Sequence, residues 1–202
     1  MIRCLIVIMM LVCPALATPA HSSAGAGTTN SAQTPTSTKP PEQATGMLAP
    51  GASIPDFAFT DFKGQGRRFA DYRGKYVLLD FWATWCKPCL ADFPHLKELY
   101  SQYRERGFEI LGLDSETLGD DEPDEETIKA AEKQALAVVA RFGTDWTHAN
   151  TRTAVPVAVK IFNVESLPTK ILVDPQGKLI KVIKNREELD RLLAELLPTP
   201  RK

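Results

Sequence analysis

Cys86-Lys87-Pro88-Cys89 sets two thiols three residues apart, where the apolar run Val77–Ala83 gives way to a helical pattern. Two thiols on the first turn of a helix can close a small disulfide ring. Unpaired N–H groups and the positive dipole end at that turn favour a thiolate on whichever sulfur is more exposed. The thiolate is the attacking species in disulfide exchange. Cys86 is therefore read as the nucleophile, exposed at the helix start, with the Lys87 ammonium beside it favouring ionisation. Cys89, one turn further in, is the resolving thiol that releases the mixed disulfide and leaves a Cys86–Cys89 bond. The competing reading of Cys-x-x-Cys is half of a zinc site, which needs four ligands. Beyond the N-terminal apolar segment the chain offers only His21, His95 and His148 besides. His95 falls roughly 240° around an ideal helix from Cys89, off the face that carries the sulfurs. No metal and no cofactor are expected.

The elements that must hold these thiols follow from periodicity. Tyr76–Trp82 is nearly all apolar, as a strand buried on both faces requires. Leu90, Phe93, Leu96, Leu99, Tyr100 and Tyr103 keep helical spacing up to Gly107, a C-cap residue, and Pro94 inside that helix is expected to kink it. Phe57–Thr60 and Arg67–Phe69 read as strands around the turn signal Gly64-Gln65-Gly66. Phe108–Asp114 is the next strand. Asp114–Glu126 then holds eight acidic residues in thirteen, ahead of an amphipathic helix through Ile128, Ala131, Ala135, Val139 and Phe142. The acids either complement that helix's dipole or form a docking surface for a basic partner. Ile171–Val173 and Leu179–Ile183 flank the turn Asp174-Pro175-Gln176-Gly177. Asn185-x-x-Glu188 has the form of a capping box opening a last helix with Leu189, Leu192, Leu193, Leu196 and Leu197 on one stripe. The order β-β-β-α-β-α-β-β-α describes an α/β domain, a mixed sheet with helices on both faces. Phe81, Trp82 and Trp85 are expected to rim the sulfurs, and Trp146 and His148 to be structural.

With 202 residues and a net charge of −1, the chain gives no reason to expect nucleic acid or an anionic membrane as partner. Residues 1–17 carry one cation, a long apolar run and Ala15-Leu16-Ala17, the grammar of a signal peptide. Cleavage there leaves Cys86 and Cys89 as the only cysteines. A short membrane anchor is the alternative, although the uncharged run Cys4–Ala17 would span only about 21 Å as a helix. Lipidation would need a small residue before Cys13, which Val12 is not. From 18 to 50, 25 of 33 residues are Ala, Gly, Ser, Thr or Pro, a disordered linker by composition. The globular domain is expected over 51–202, in an exported, periplasmic or extracytoplasmic setting. There a dithiol is driven toward disulfide, so it either donates disulfides or is kept reduced by a dedicated partner.

Asp80-Phe81-Trp82-Ala83-Thr84-Trp85-Cys86-Lys87-Pro88-Cys89 resembles the thioredoxin active-site segment without a gap, and the chain is identified as a member of the thioredoxin-like superfamily. Ile54-Pro55-Asp56-Phe57 with its following hairpin, Asp71-Tyr72-Arg73-Gly74-Lys75 and Phe93-Pro94 are similar to the TlpA/ResA-type extracytoplasmic thiol–disulfide oxidoreductases. So is the insertion between Phe108–Asp114 and Pro168. Peroxiredoxins share the leading Pro-Asp-Phe segment but use a lone cysteine. The resemblance implies a three-layer thioredoxin-like sandwich with an N-terminal β-hairpin and a helical insertion. It implies a cis bond between Leu167 and Pro168 facing the dithiol, with the Leu167 backbone pairing strand-like with a client chain, and client contacts from Trp85, Lys87 and Pro88. It implies a buried Asp80 that takes the Cys89 proton, and a second acidic residue, Asp92, one turn beyond Cys89. The activity implied is that of a reductant fed by a membrane electron donor, and the chain is expected to act as a monomer. Its clients would be proteins with cysteine pairs, at apocytochrome c haem sites or at copper sites of oxidase assembly. Lys87 stands where some of these reductases have Glu, so a disulfide-donating oxidase stays open, as does a non-catalytic metallochaperone or adaptor.

Overall fold

The computed structural model describes residues 48–198. The expected signal or anchor, and the expected linker up to residue 47, lie outside them. A two-stranded antiparallel hairpin comes first, β1 (Ala58–Thr60) and β2 (Gly66–Arg68). The second strand stops one residue short of the expected Phe69, which begins a 3₁₀ turn and is fully buried there. β3 (Tyr76–Trp82), α1 (Lys87–Tyr103) and β4 (Phe108–Asp114) follow. Then come α2 (Glu125–Phe142), β5 (Thr147–Ala149) and α3 (Thr151–Lys160). β6 (Thr169–Val173), β7 (Leu179–Ile183) and α4 (Arg186–Leu196) complete the described chain.

The five-stranded sheet has the order β5-β4-β3-β6-β7. β3 runs parallel to β4 and antiparallel to β6, and the second pairing sets Asp80 opposite Lys170. Side chains alternate across a strand, so β3 divides the core in two. Val77, Leu79 and Phe81 face α3 and the hairpin, packing with Ala154, Val157, Phe57, Phe59 and Phe69. Leu78 and Trp82 face α1 and α4, in a cluster with Phe93, Leu96, Leu189, Leu193 and both cysteines. α2 joins this second face through the buried Ala135. The helices thus lie on both faces of a mixed sheet.

Two elements exceed the expected order, the three-residue β5 and α3. In α3, Val155, Val157 and Val159 alternate as in a strand, and Pro156 sits inside. Helix wins because Asn150 caps it, its side chain accepting the Thr153 N–H, and because Thr151, Ala154, Val157 and Ala158 bury one stripe. α1 runs through Pro94 from Lys87 to Tyr103, and after a 3₁₀ turn Gly107 ends the segment at φ 90°. The expected capping box is half made. Asn185 accepts the Glu188 N–H at 2.9 Å, but the Glu188 carboxylate takes the Lys184 N–H at 2.8 Å. Asp124 caps α2 and Glu125 and Glu126 fill its first turn, which is the dipole-complementing use of the acidic segment.

Candidate active site

Strand β3 ends at Trp82, and the loop Ala83–Trp85 delivers Cys86 to the N-cap position of α1. The two sulfurs are joined, and the Cys89 N–H donates to Cys86 Sγ at 3.3 Å. The structure is therefore the oxidised form. Cys86 is 4% exposed and Cys89 1%, so the nucleophile is less open than expected. The outward position belongs instead to Trp85, 55% exposed, while Lys87 and Pro88 are also exposed.

Of the three expected rim aromatics, only Trp82 and Trp85 lie on this side. Phe81 is a correction, because alternation along β3 turns it to the opposite face against Phe162 at 5.4 Å. Glu116, just past β4, was missed by sequence reasoning and clasps the loop. Its carboxylate accepts the Thr84 N–H, and the Thr84 hydroxyl donates to it at 3.0 Å. The Trp85 Nε1–H donates to its carbonyl at 2.9 Å. Burial pushes the Glu116 carboxyl up, opposed by the Thr84 bonds.

On the face of β3 that carries Leu78 and Trp82, Asp80 is 1% exposed, and burial pushes its carboxyl above the ordinary carboxylate range. Lys170 Nζ lies 3.3 Å from its Oδ1, yet neither Asp80 oxygen completes a hydrogen bond. The same ammonium donates to Asp92 Oδ2 at 2.8 Å, and Arg186 Nε donates to Asp92 Oδ1 at 2.7 Å. Asp92 is thus pinned between two cations rather than solvated. Burial pushes its carboxyl up, but Lys170 and Arg186 prevail and hold it below the usual range. Burial likewise pulls Lys170 down, and the two carboxylates prevail and raise it. Lys170 and Arg186 carried no spacing signal. The one clue was a lone lysine in the otherwise apolar stretch Thr169–Val173, since a buried lysine needs a carboxylate partner.

The Leu167–Pro168 bond is cis. Pro168 is exposed, and Leu167, half-buried, packs against the cluster that holds both cysteines. Pro168 also lines a cavity of about 240 Å³ together with Asp92, His95, Lys170 and Arg186. His95 pairs elsewhere, its Nε2 2.8 Å from Asp190 Oδ1. His148 sits among rings, with centroids 5.4 Å from Trp82 and 5.6 Å from Trp146, and burial pulls it down to about 3. Among the described residues no group of three or more His, Cys, Asp and Glu side chains is placed to hold a metal ion.

Comparison with known proteins agrees with this chemistry. Residues 50–195 match the AhpC/TSA family. The thiol-disulfide oxidoreductase ResA of Geobacillus kaustophilus is 37% identical over 154 residues, 75% of this chain and 80% of that protein. ResA of Bacillus subtilis is 28% identical over 136 residues, 67% of this chain and 68% of that one. Among solved structures, a thiol-disulfide oxidoreductase from Bacteroides fragilis is 29% identical with a TM-score of 0.58, over 72% of this chain and all of that one. A thiol:disulfide interchange protein from Bacteroides sp. has a TM-score of 0.61 at 25% identity, over 77% of this chain and 94% of that one. With a dithiol joined at the N-terminus of α1, on this sheet and with these relatives, the chain belongs to the AhpC/TSA family and is a thioredoxin-fold thiol–disulfide oxidoreductase of the ResA type.

Proposed function

We propose that the protein reduces client protein disulfides outside the cytoplasm, drawing electrons from a membrane donor and acting as a monomer with no nucleic-acid partner. Cytochrome c haem-site or copper-site cysteine pairs are the client class. The observation that supports this most is the position of Cys86. It caps α1, where helix N–H groups and dipole favour a thiolate, next to the exposed Trp85 and Lys87. The Cys86 thiolate attacks one client sulfur, and the other client sulfur leaves with the bond pair. Cys89 then gives its proton to Asp80, and its thiolate attacks Cys86 Sγ. The Cys86–Cys89 bond forms, the client leaves as a dithiol, and two electrons have passed to it. Leu167 would pair its backbone with the client chain while Trp85, Lys87 and Pro88 contact it. Among the described residues no helix is long and apolar enough to cross a membrane. Any anchoring would fall to the apolar segment before residue 18.

Reduction of insulin disulfides and equilibration with glutathione test the reading together. Cys86→Ser is expected to abolish insulin reduction, and Cys89→Ser to accumulate a mixed disulfide. A midpoint potential near thioredoxin's, about −270 mV, supports a reductant. One near DsbA's, about −120 mV, reverses the physiological direction and makes disulfide donation the task.

A further inference from the structure

Lys170 is the one described cation within ion-pairing distance of Asp80, and it is shared. The charged and titratable groups facing it come from four places. Asp80 comes from β3, Asp92 and His95 from α1, Lys184 from the turn before α4, and Arg186 and Glu187 from α4. The sharing is uneven: a 2.8 Å hydrogen bond to Asp92, and a 3.3 Å approach to Asp80 that completes no hydrogen bond. Asp92 also keeps Arg186 on its other oxygen, whereas Asp80 has no second cation. Lys170 and Asp92 line the cavity at Pro168, and Asp80 does not. Among the described residues, the one cation paired with the buried carboxylate is therefore itself a residue of the cavity wall.

We propose that Lys170 is a positioning residue, a counter-ion for which Asp80 and Asp92 compete, so that Asp92 sets how readily Asp80 accepts the Cys89 proton. This rests on the reading of Asp80 as the acceptor. During resolution the Cys89 S–H bond breaks and its proton passes to Asp80. The Cys89 and Cys86 sulfurs then bond, and the client sulfur departs with the electron pair and takes a proton from water. Asp80 afterwards returns its proton to solvent, which resets it as an acceptor. Competition has a signature that an ordinary structural salt bridge lacks. Losing Lys170 leaves Asp80 buried without a cation and less willing to ionise. Losing Asp92 gives the ammonium wholly to Asp80 and removes a like charge, so Asp80 ionises more readily.

The experiment is a ¹³C NMR titration of the Asp80 side-chain carboxyl in the reduced protein, paired with the pH profile of insulin reduction. Lys170→Met is expected to raise the Asp80 midpoint by roughly 1–3 units, and Lys170→Arg to restore it. Asp92→Asn, at a site only half-buried, is expected to lower the midpoint, and the double variant to follow Lys170→Met. The pH–rate profiles should move in the same directions. Shifts of one sign in Lys170→Met and Asp92→Asn, or an Asp80 midpoint indifferent to Asp92→Asn, overturn the proposal. Should Lys170→Met fail to fold, the sign of the Asp92→Asn shift still decides. If the midpoints move as stated while Asp80→Asn leaves the pH–rate profile untouched, the acceptor reading fails and the counter-ion assignment stands on its titration.

Discussion

Asp80 carries a raised pKa because burial penalises its charged form, and that has two consequences for one substitution. Asp80→Asn removes a proton acceptor, and general acid–base assistance typically contributes 10²–10⁴-fold. Insulin reduction at pH 7 is expected to fall on the order of 10²-fold. The same change removes a buried charge, with a definite sign. A folded pKa above the unfolded one means that stability is present below the unfolded carboxylate pKa and lost as pH rises through the folded one. Thermal unfolding should therefore find Asp80→Asn gaining on wild type at pH 8 and not at pH 3. The Cys86–Cys89 pair and the buried Asp80 were legible because they sit at fixed spacings within one short stretch of chain, and the cis bond before Pro168 followed from the family resemblance. Lys170, Glu116 and Arg186 were not, because no spacing joins them to the dithiol. Strand register brings Lys170 opposite Asp80, the turn after β4 brings Glu116 under Thr84, and the docking of α4 brings Arg186 to Asp92.

At the scale of elements, β4 and β5 meet where Gly112 pairs with His148, and the pairing leaves no room for a side chain. A Cβ on Gly112 would lie 2.2 Å from His148 Nδ1, whose ring is hemmed in by Phe62, Trp82, Phe93 and Trp146. Neither partner can give way cheaply. Gly112→Ala is expected to cost about 1–3 kcal/mol, read as a Tm lowered by roughly 2–4 °C per kcal/mol. The dithiol and its chemistry should be unchanged in the folded fraction. Long elements with one period, β3, α1, β4 and α4, were readable from the chain alone. β5 was not, since three residues cannot show a period. α3 was obscured because its valines alternate and Pro156 argues against a helix, while its decisive features are the Asn150 cap and contact with the hairpin, the Thr60 N–H donating to Thr153 Oγ1 at 3.1 Å.

For the molecule as a whole, acid should act through His148. Its folded pKa of about 3 lies below the ordinary 6.5 because of burial, so the unfolded chain binds the proton first as pH falls. Stability is then lost between pH 6.5 and 3, by about 1.4 kcal/mol per unit. His148→Phe keeps a ring in the aromatic cluster and should flatten that part of the stability–pH curve, whatever its absolute stability. A different consequence follows from where the sulfurs lie. Both belong to the packed cluster that joins α1 to α4 on one face of the sheet, so opening or closing the ring is an event of the interior. Any change in that interior which weights the two redox forms unequally must shift the couple, by about 30 mV for each 1.4 kcal/mol of difference. Leu193→Ala, on α4 and far along the chain from either cysteine, is therefore expected to move the midpoint potential measured against glutathione. Electron affinity here is a collective property of one side of the sandwich, tunable by packing alone with the dithiol left intact.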